Sequence, residues 1–133
     1  MKLLFLDTET TGVDKEKSGI HQISGSIVID NVVKEVFDIK FRPFEDCIIE
    51  DSALEVTKLT KEELLNRSIS ELDAYNMFTK IIDKYVNKYN RADKMFMVGY
   101  NVHFDKDMVY NWFKRCGDNF LFSRVWGNHI DVM

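Results

Sequence analysis

The sequence predicts one α/β domain built on a mixed β-sheet, and three observations carry that expectation. Strand-like hydrophobic runs fill the N-terminal part, and the period then switches to a helical stripe followed by an alternation of strand and helix. The length of 133 residues suits one folding unit, able to bury roughly two thirds of its unfolded surface. No repeat, low-complexity tract or Gly/Ser/Pro-rich linker marks a boundary, so residues 1–133 are read as a single domain. Strands first, then helices alternating with strands, imply parallel and antiparallel pairings in one sheet.

The elements follow in order. Lys2–Leu6 is a short run without polar interruption, as expected of a strand covered on both faces. Ile20–Ile29 and Val32–Arg42 are rich in Ile, Val and Phe, and the turn-forming pair Asp30-Asn31 between them predicts a hairpin. Ala53–Asn66 reads as short helical turns, with Thr60 and Glu63 spaced as a capping box. From Ser68 or Ser70 to about Tyr89 the apolar residues Leu72, Tyr75, Phe78, Ile82, Tyr85, Val86 and Tyr89 recur with helical period, and Ser68 with Glu71 has capping-box spacing. Met95–Val98 is a fourth strand, ended by Gly99. A helix from about Phe104 to Cys116 places Met108, Val109, Trp112, Phe113 and Cys116 on one side, with Gly117 as its stop. Ile130-Asp131-Val132-Met133 reads as the start of a further strand or of the segment after it.

Composition narrows the function classes. The chain is 45% hydrophobic and contains ten Phe, five Tyr and two Trp, which excludes intrinsic disorder. Two cysteines, Cys47 and Cys116, without CxxC spacing exclude a disulfide scaffold and suit a reducing compartment. The N-terminal apolar run of four residues meets acid at Asp7, whereas a signal peptide needs roughly 7–15 apolar residues. No stretch reaches the ~20 apolar residues of a membrane span, so the expectation is a soluble, cytoplasmic protein with no membrane partner. The net charge of −4 speaks against a basic module that coats nucleic acid, but not against an enzyme that holds a strand end and recruits charge as metal ions.

Asp7 and Glu9 end the first strand, and residues two apart in a strand share a face. Two carboxylates then converge at a strand's C-terminal end, where open α/β sheets place their ligand sites. Their mutual repulsion is relieved by a hard divalent ion such as Mg²⁺ or Mn²⁺. Thr8, Thr10, Thr11 and Gly12 follow with hydroxyls and an expected φ > 0 turn whose N–H groups face an anionic ligand. A second strand-to-helix junction, Gly99-Tyr100-Asn101-Val102-His103-Phe104-Asp105, repeats the layout, with Asp105 in a first helical turn where the dipole favours an ionised acid.

Leu6-Asp7-Thr8-Glu9-Thr10-Thr11-Gly12, followed after a long helix by Asn101-x-x-Phe104-Asp105, resembles the first two motifs of the DEDD family of 3′→5′ exonucleases. That family includes the proofreading epsilon subunit of bacterial DNA polymerase III, ribonuclease T and oligoribonuclease. The resemblance covers nearly the whole chain, and it implies a ribonuclease H-like fold and release of nucleoside 5′-monophosphates from the 3′ end of single-stranded DNA or RNA. It also implies two divalent ions: Asp7 bridges both, Glu9 ligates the ion that activates water, and Asp105 holds the second. The implied substrate contacts are backbone N–H groups around Thr10, Thr11 and Gly12 at the terminal sugar, Val13 as a wedge against the last base, and Phe104 or Asn101 lining the pocket. A DNA polymerase is an implied partner.

The family's third motif, a His four residues or a Tyr three residues ahead of an Asp, does not follow Asp105. The nearest substitute, His129 with Asp131, has the wrong spacing, and the chain is expected to be C-terminally incomplete. His21, at the start of the second strand, is expected at the surface or a sheet edge, and neither it nor His103 is assigned to catalysis. Lys80, Lys84, Lys88, Arg91 and Lys94 are read as a solvated face. Two other readings follow from the same residues: a non-catalytic nuclease-like module that binds nucleic acid or a polymerase, and a phosphate-ester hydrolase for small nucleotides.

Overall fold

The computed structural model describes residues 1–132. β1 (Lys2–Thr10), β2 (Ile20–Ile29) and β3 (Val32–Lys40) form an antiparallel meander. Asp30 and Asn31, both at positive φ (50° and 69°), make the two-residue turn that joins β2 to β3, as the twist of a hairpin requires. Three helices follow, α1 (Asp51–Thr57), α2 (Lys61–Leu65) and α3 (Glu71–Ile82). β4 (Phe96–Gly99) then pairs parallel with β1, and α4 (Val102–Arg115) leads through a short 3₁₀ turn to β5 (Ile130–Asp131), parallel to β4. The sheet order β3-β2-β1-β4-β5 is the mixed sheet expected.

One face of this sheet is the core. Leu4, Leu6, Ile23, Ile27, Phe37, Ile39 and Met97 pack against Phe78 and Ile82 of α3 and Met108, Val109, Trp112 and Phe113 of α4. Phe41 stacks on Trp112 with centroids 5.2 Å apart, and Phe78 meets Phe37 edge-on at 5.5 Å, geometries that add to the area buried. Both long helices pack on this side, so β1 is not covered on both faces as its uninterrupted run predicts. Its alternate residues divide instead: Leu4, Leu6 and Thr8 are buried, whereas Phe5 and Asp7 are exposed. Cross-strand register places Ser26 and Val36 beside Phe5, and Val36 is 75% exposed.

Local chemistry explains the helix ends. The Thr60–Glu63 capping box opens α2 as predicted. For α3 the cap is Ser70, whose hydroxyl accepts from Asp73 N at 3.0 Å, rather than Ser68 with Glu71. α3 also stops at Ile82, although the apolar period runs on to Tyr89. Tertiary contacts hold the following segment in turns: Lys2 Nζ donates to Tyr85 O and to Asp93, while Asp93 accepts from Asn87 N. Leu72, assigned to the apolar stripe, is 52% exposed. Gly117, at φ 84°, ends α4 in the left-handed conformation a glycine stop requires. Among the described residues no helix is long and apolar enough to cross a membrane.

Two buried charges tie the elements together in ways the sequence did not announce. Arg124 is 2% exposed and bonds Asp83 and Asp118 at 2.9 Å each, and Asp118 also accepts from the Tyr75 hydroxyl. Burial and the Asp118 carboxylate push the Tyr75 phenol up to about 12. Lys106, 8% exposed, donates to Gly127 O at 2.6 Å. The Lys-rich segment behaves as a solvated face with local partners: Lys84 pairs with Glu35 and Lys88 with Asp83.

Candidate active site

The C-terminal end of β1 brings the two sequence motifs together. Asp7 and Glu9 lie on the outer face of the strand, while Thr8 between them turns inward. There the Thr8 hydroxyl donates to Asp105 Oδ1 at 2.5 Å. Asp105 is in the first turn of α4 and is 4% exposed, and its pKa is raised to about 6. Burial is the main cause, and the Asp7 and Glu9 carboxylates add to it against the hydrogen bond from Thr8. The Glu9 carboxyl is likewise pushed up, by burial and then by Asp7. The Asp7 charge thus raises the pKa of both neighbours, and Glu9 adds to that of Asp105, the electrostatics of clustered carboxylates.

The register of β1 on β2 slips between Glu9 and Thr10, so that Glu9 opposes Gln22 and Thr10 opposes Ile20. This bulge ends the regular pairing next to the acids, a common device beside functional sites. It leaves His21 without a Cα partner and turned inward at 1% exposure, contrary to the surface or edge position expected. Burial and the adjacent Arg67 guanidinium lower its pKa to about 4, so it stands uncharged at neutral pH.

The Thr10–Val13 loop differs from expectation in its backbone. Gly12 is not at positive φ. A Cβ there would lie 2.5 Å from Glu50 Oε2 and 2.6 Å from Ser18 Oγ, so a larger residue would displace the Glu50 carboxylate that Val13 N bonds. Thr11 is 1% exposed, its N–H donates to Gly19 O at 2.8 Å, and its hydroxyl donates to Ile48 O at 2.6 Å. With these bonds made, Thr11 holds the loop in place and its N–H is not free to meet a sugar. Val13 is 76% exposed.

Thr8, Glu9, Thr10, Gly12 and Val13 line a cavity of about 250 Å³ whose opposite wall is α1, with Glu50, Ser52, Ala53, Val56 and Thr57. Sequence reasoning missed this wall, because nothing local in a short polar helix marks it as a partner of a loop some forty residues earlier. The tie is visible only in space: Glu50 N donates to Thr11 O at 2.7 Å, and Val13 N donates to Glu50 Oε2 at 3.2 Å. Neither Asn101 nor Phe104 lines this cavity. Asn101 sits at φ 52° ahead of α4 without a side-chain cap, and Phe104 packs against the core. A larger cavity, about 480 Å³, opens beside Tyr75, Tyr89, Phe120 and Arg124, but its cations are already matched, Arg124 by Asp83 and Asp118 and Lys88 by Asp83.

His129 and Asp131 have other work. Asp131 Oδ1 accepts from Val102 N at 2.8 Å and so caps α4 across the sheet edge. His129 Nδ1 lies 2.9 Å from Lys106 Nζ and its Nε2 lies 3.4 Å from Asp131. Asp131→Ala is expected to cost about 1 kcal/mol, the usual worth of an N-terminal cap, measurable as a lower urea midpoint with unchanged slope. His103 stands on the surface 3.4 Å from Asp107.

The family model described as Exonuclease, of the RNase T type, matches residues 4–124. The E. coli Exonuclease I complex with a 5cy-dA13 oligonucleotide superposes with TM-score 0.74 at 20% identity, over 98% of this chain and 28% of that one. The zinc ion bound form of the E. coli ExoI–ssDNA complex gives 0.74 at 21%, over 98% and 27%. Exonuclease I from Methylocaldum szegediense gives 0.72 at 18%, again over 98% and 27%. This chain therefore spans little more than a quarter of the length of those proteins. No curated protein matches the sequence. The match over residues 4–124 and the ribonuclease H-like sheet place the chain in the DEDD family of 3′→5′ exonucleases.

Proposed function

We propose that this domain hydrolyses the 3′-terminal phosphodiester of a single-stranded nucleic acid, releasing nucleoside 5′-monophosphates, with Asp7, Glu9 and Asp105 as its catalytic carboxylates. The observation that carries this reading is the meeting of the two motifs at the end of β1, where the Thr8 hydroxyl donates to Asp105 and the Asp7 charge raises the pKa of both Glu9 and Asp105. Their donor set fits a hard divalent cation such as Mg²⁺ or Mn²⁺, because it is all carboxylate oxygen and carries unrelieved negative charge. In this reading Asp7, Glu9 and Asp105 would hold a pair of divalent ions between them. Such a pair supplies charge to the attacking and departing oxygens of an in-line displacement.

The chain's own residues do the positioning. Val13 and Val56, 76% and 78% exposed on opposite walls of the cavity, offer apolar surface to an unstacked terminal base. Thr10, whose hydroxyl donates to Gly12 O at 2.8 Å, and Gly12 shape the floor beside Glu9. Domain 1–133 acts as one unit in this reading. E. coli Exonuclease I is known in complex with dA13 and dT13 oligonucleotides, which supports a single strand as the ligand class.

A 3′-labelled oligonucleotide should yield labelled mononucleotide from the first turnover, and a 5′-labelled one a ladder of shortening strands, both only with Mg²⁺ or Mn²⁺. Early release of the 5′ label as mononucleotide would reverse the polarity and sink the proposal. A second reading, a strand-binding module without turnover, is favoured by one observation: among the described residues no three His, Cys, Asp or Glu side chains converge as a formed metal site. It predicts strand retention and no mononucleotide at any divalent concentration.

A further inference from the structure

A second cavity, about 300 Å³, borders Glu9 on the side away from the loop, lined by Glu9, His21, Gln22, Lys40, Val56, Thr57, Leu59 and Arg67. We propose that this cleft is a subsite for a backbone phosphate of the bound strand, gripped by Arg67 and Lys40. The proposal rests on the exonuclease reading and extends it from the terminal nucleotide to the strand behind it.

The argument starts from unspent positive charge. Among the basic side chains near the core, Arg124 has Asp83 and Asp118, Arg115 has Glu71, and Lys2 has Asp93 as carboxylate partners. Arg67, like Arg42 and Lys106, has none among the described residues and bonds carbonyls instead. Its Nη1 donates to His21 O at 2.6 Å and lies 3.5 Å from Phe41 O, both neutral carbonyls. The nearby acid that its charge senses is Glu63, with no ion pair formed among the described residues. A guanidinium carries five N–H donors, so anchoring one nitrogen on the backbone fixes its plane and leaves donors for an anion. His21 beneath it is neutral at physiological pH and offers no competing charge. Lys40 is exposed at the end of β3, also without an ion pair among the described residues.

Register fixes where this charge lies. Glu9 pairs with Gln22 and Gln22 with Lys40, so the three occupy one row across the outer face. Lys40 therefore stands two strand spacings from Glu9, roughly 10 Å. Val56 and Thr57 line both cavities and form the ridge between them. A strand whose last base lies against Val13 and Val56 and whose 3′ end reaches Glu9 can cross that ridge, and the next group to settle beyond it is an anion. In a chain of net charge −4, two unpaired cations beside an acidic site select a ligand whose negative charge extends past the carboxylates.

The test is the salt dependence of strand binding, measured by anisotropy of a 5′-labelled oligothymidylate 12-mer in EDTA, where turnover is excluded. Each phosphate contact to a single strand adds about 0.7 to the slope of log affinity against log salt. Lys40→Gln, a surface change, should weaken binding several-fold and make the slope shallower by about 0.7. Lys80→Gln, on the exposed face of α3, should leave the slope as it is. Arg67→Gln should weaken binding at least as much, its melting temperature being recorded because its carbonyl bonds also brace β2. Thymidine 5′-monophosphate separates a strand phosphate from a lone one: the Lys40→Gln loss should be greater on the 12-mer. Unchanged slopes, equal changes for Lys40→Gln and Lys80→Gln, or equal losses on mononucleotide and strand each overturn the subsite. A wild-type chain that degrades and binds no strand removes the exonuclease reading and the subsite with it, a result distinct from loss of the subsite alone.

Discussion

Asp7→Ala is expected to lower the rate of 3′-terminal hydrolysis on the order of 10³-fold, about 4 kcal/mol of transition-state stabilisation, while the melting temperature holds or rises. Asp7 is exposed on the outer face of β1, outside the core formed by Leu4, Leu6 and the helices, so alanine leaves no cavity. Its charge raises the pKa of both Glu9 and Asp105, and removing it relieves that repulsion. The loss should appear in kcat rather than KM, because Asp7 would act on charge that develops in the transition state. Glu9→Gln should behave similarly. Equal rates for Asp7→Ala and wild type would remove the assignment of these acids.

The sequence made the acids legible because the information is local. Asp7 and Glu9 follow an apolar run by the period of a strand, and Asp105 follows Met95–Val98 and a turn. The hairpin was legible for the same reason, since Asp30-Asn31 dictates its own turn. What escaped depends on contacts between distant segments. His21 looked like an edge residue until a bulge opposite Glu9 and Thr10 turned it inward. α3 ended early because Lys2, from the other end of the chain, takes the carbonyl of Tyr85. The α1 wall and Arg67 owe their place beside Glu9 to hydrogen bonds spanning 37 residues from Glu50 to Val13 and 46 from Arg67 to His21. The face of β1 was misread because an unbroken apolar run cannot say on which side the helices will pack.

Asp105→Asn is expected to abolish activity and yet stabilise the protein at neutral pH. The Asp105 pKa rises from 3.8 to about 6 in the fold, so the folded state holds a proton that the unfolded chain releases. Below about pH 4 both states are protonated and the residue imposes no penalty. As pH rises from there through 6 the unfolded state loses its proton first, and stability falls with a slope set by that difference. Above pH 6 the penalty is complete, on the order of 3 kcal/mol for a shift of this size. Asparagine keeps a carbonyl oxygen for the Thr8 hydroxyl and introduces no charge. The melting-temperature difference, variant minus wild type, should therefore be near zero at pH 3.5 and grow to about 10 °C at pH 7. The other shifted acids, Asp118 and Asp93 among them, are common to both proteins and cancel in the difference. Mg²⁺ or Mn²⁺ at pH 7 should raise the wild-type melting temperature more than the variant's, since only the wild type has the Asp105 charge to share with a cation. A variant less stable than wild type at pH 7 would mean that the ionised carboxylate supports the fold. The expected result instead makes Asp105 a group whose burial is tolerated for its chemistry, the trade of stability for activity that functional carboxylates impose.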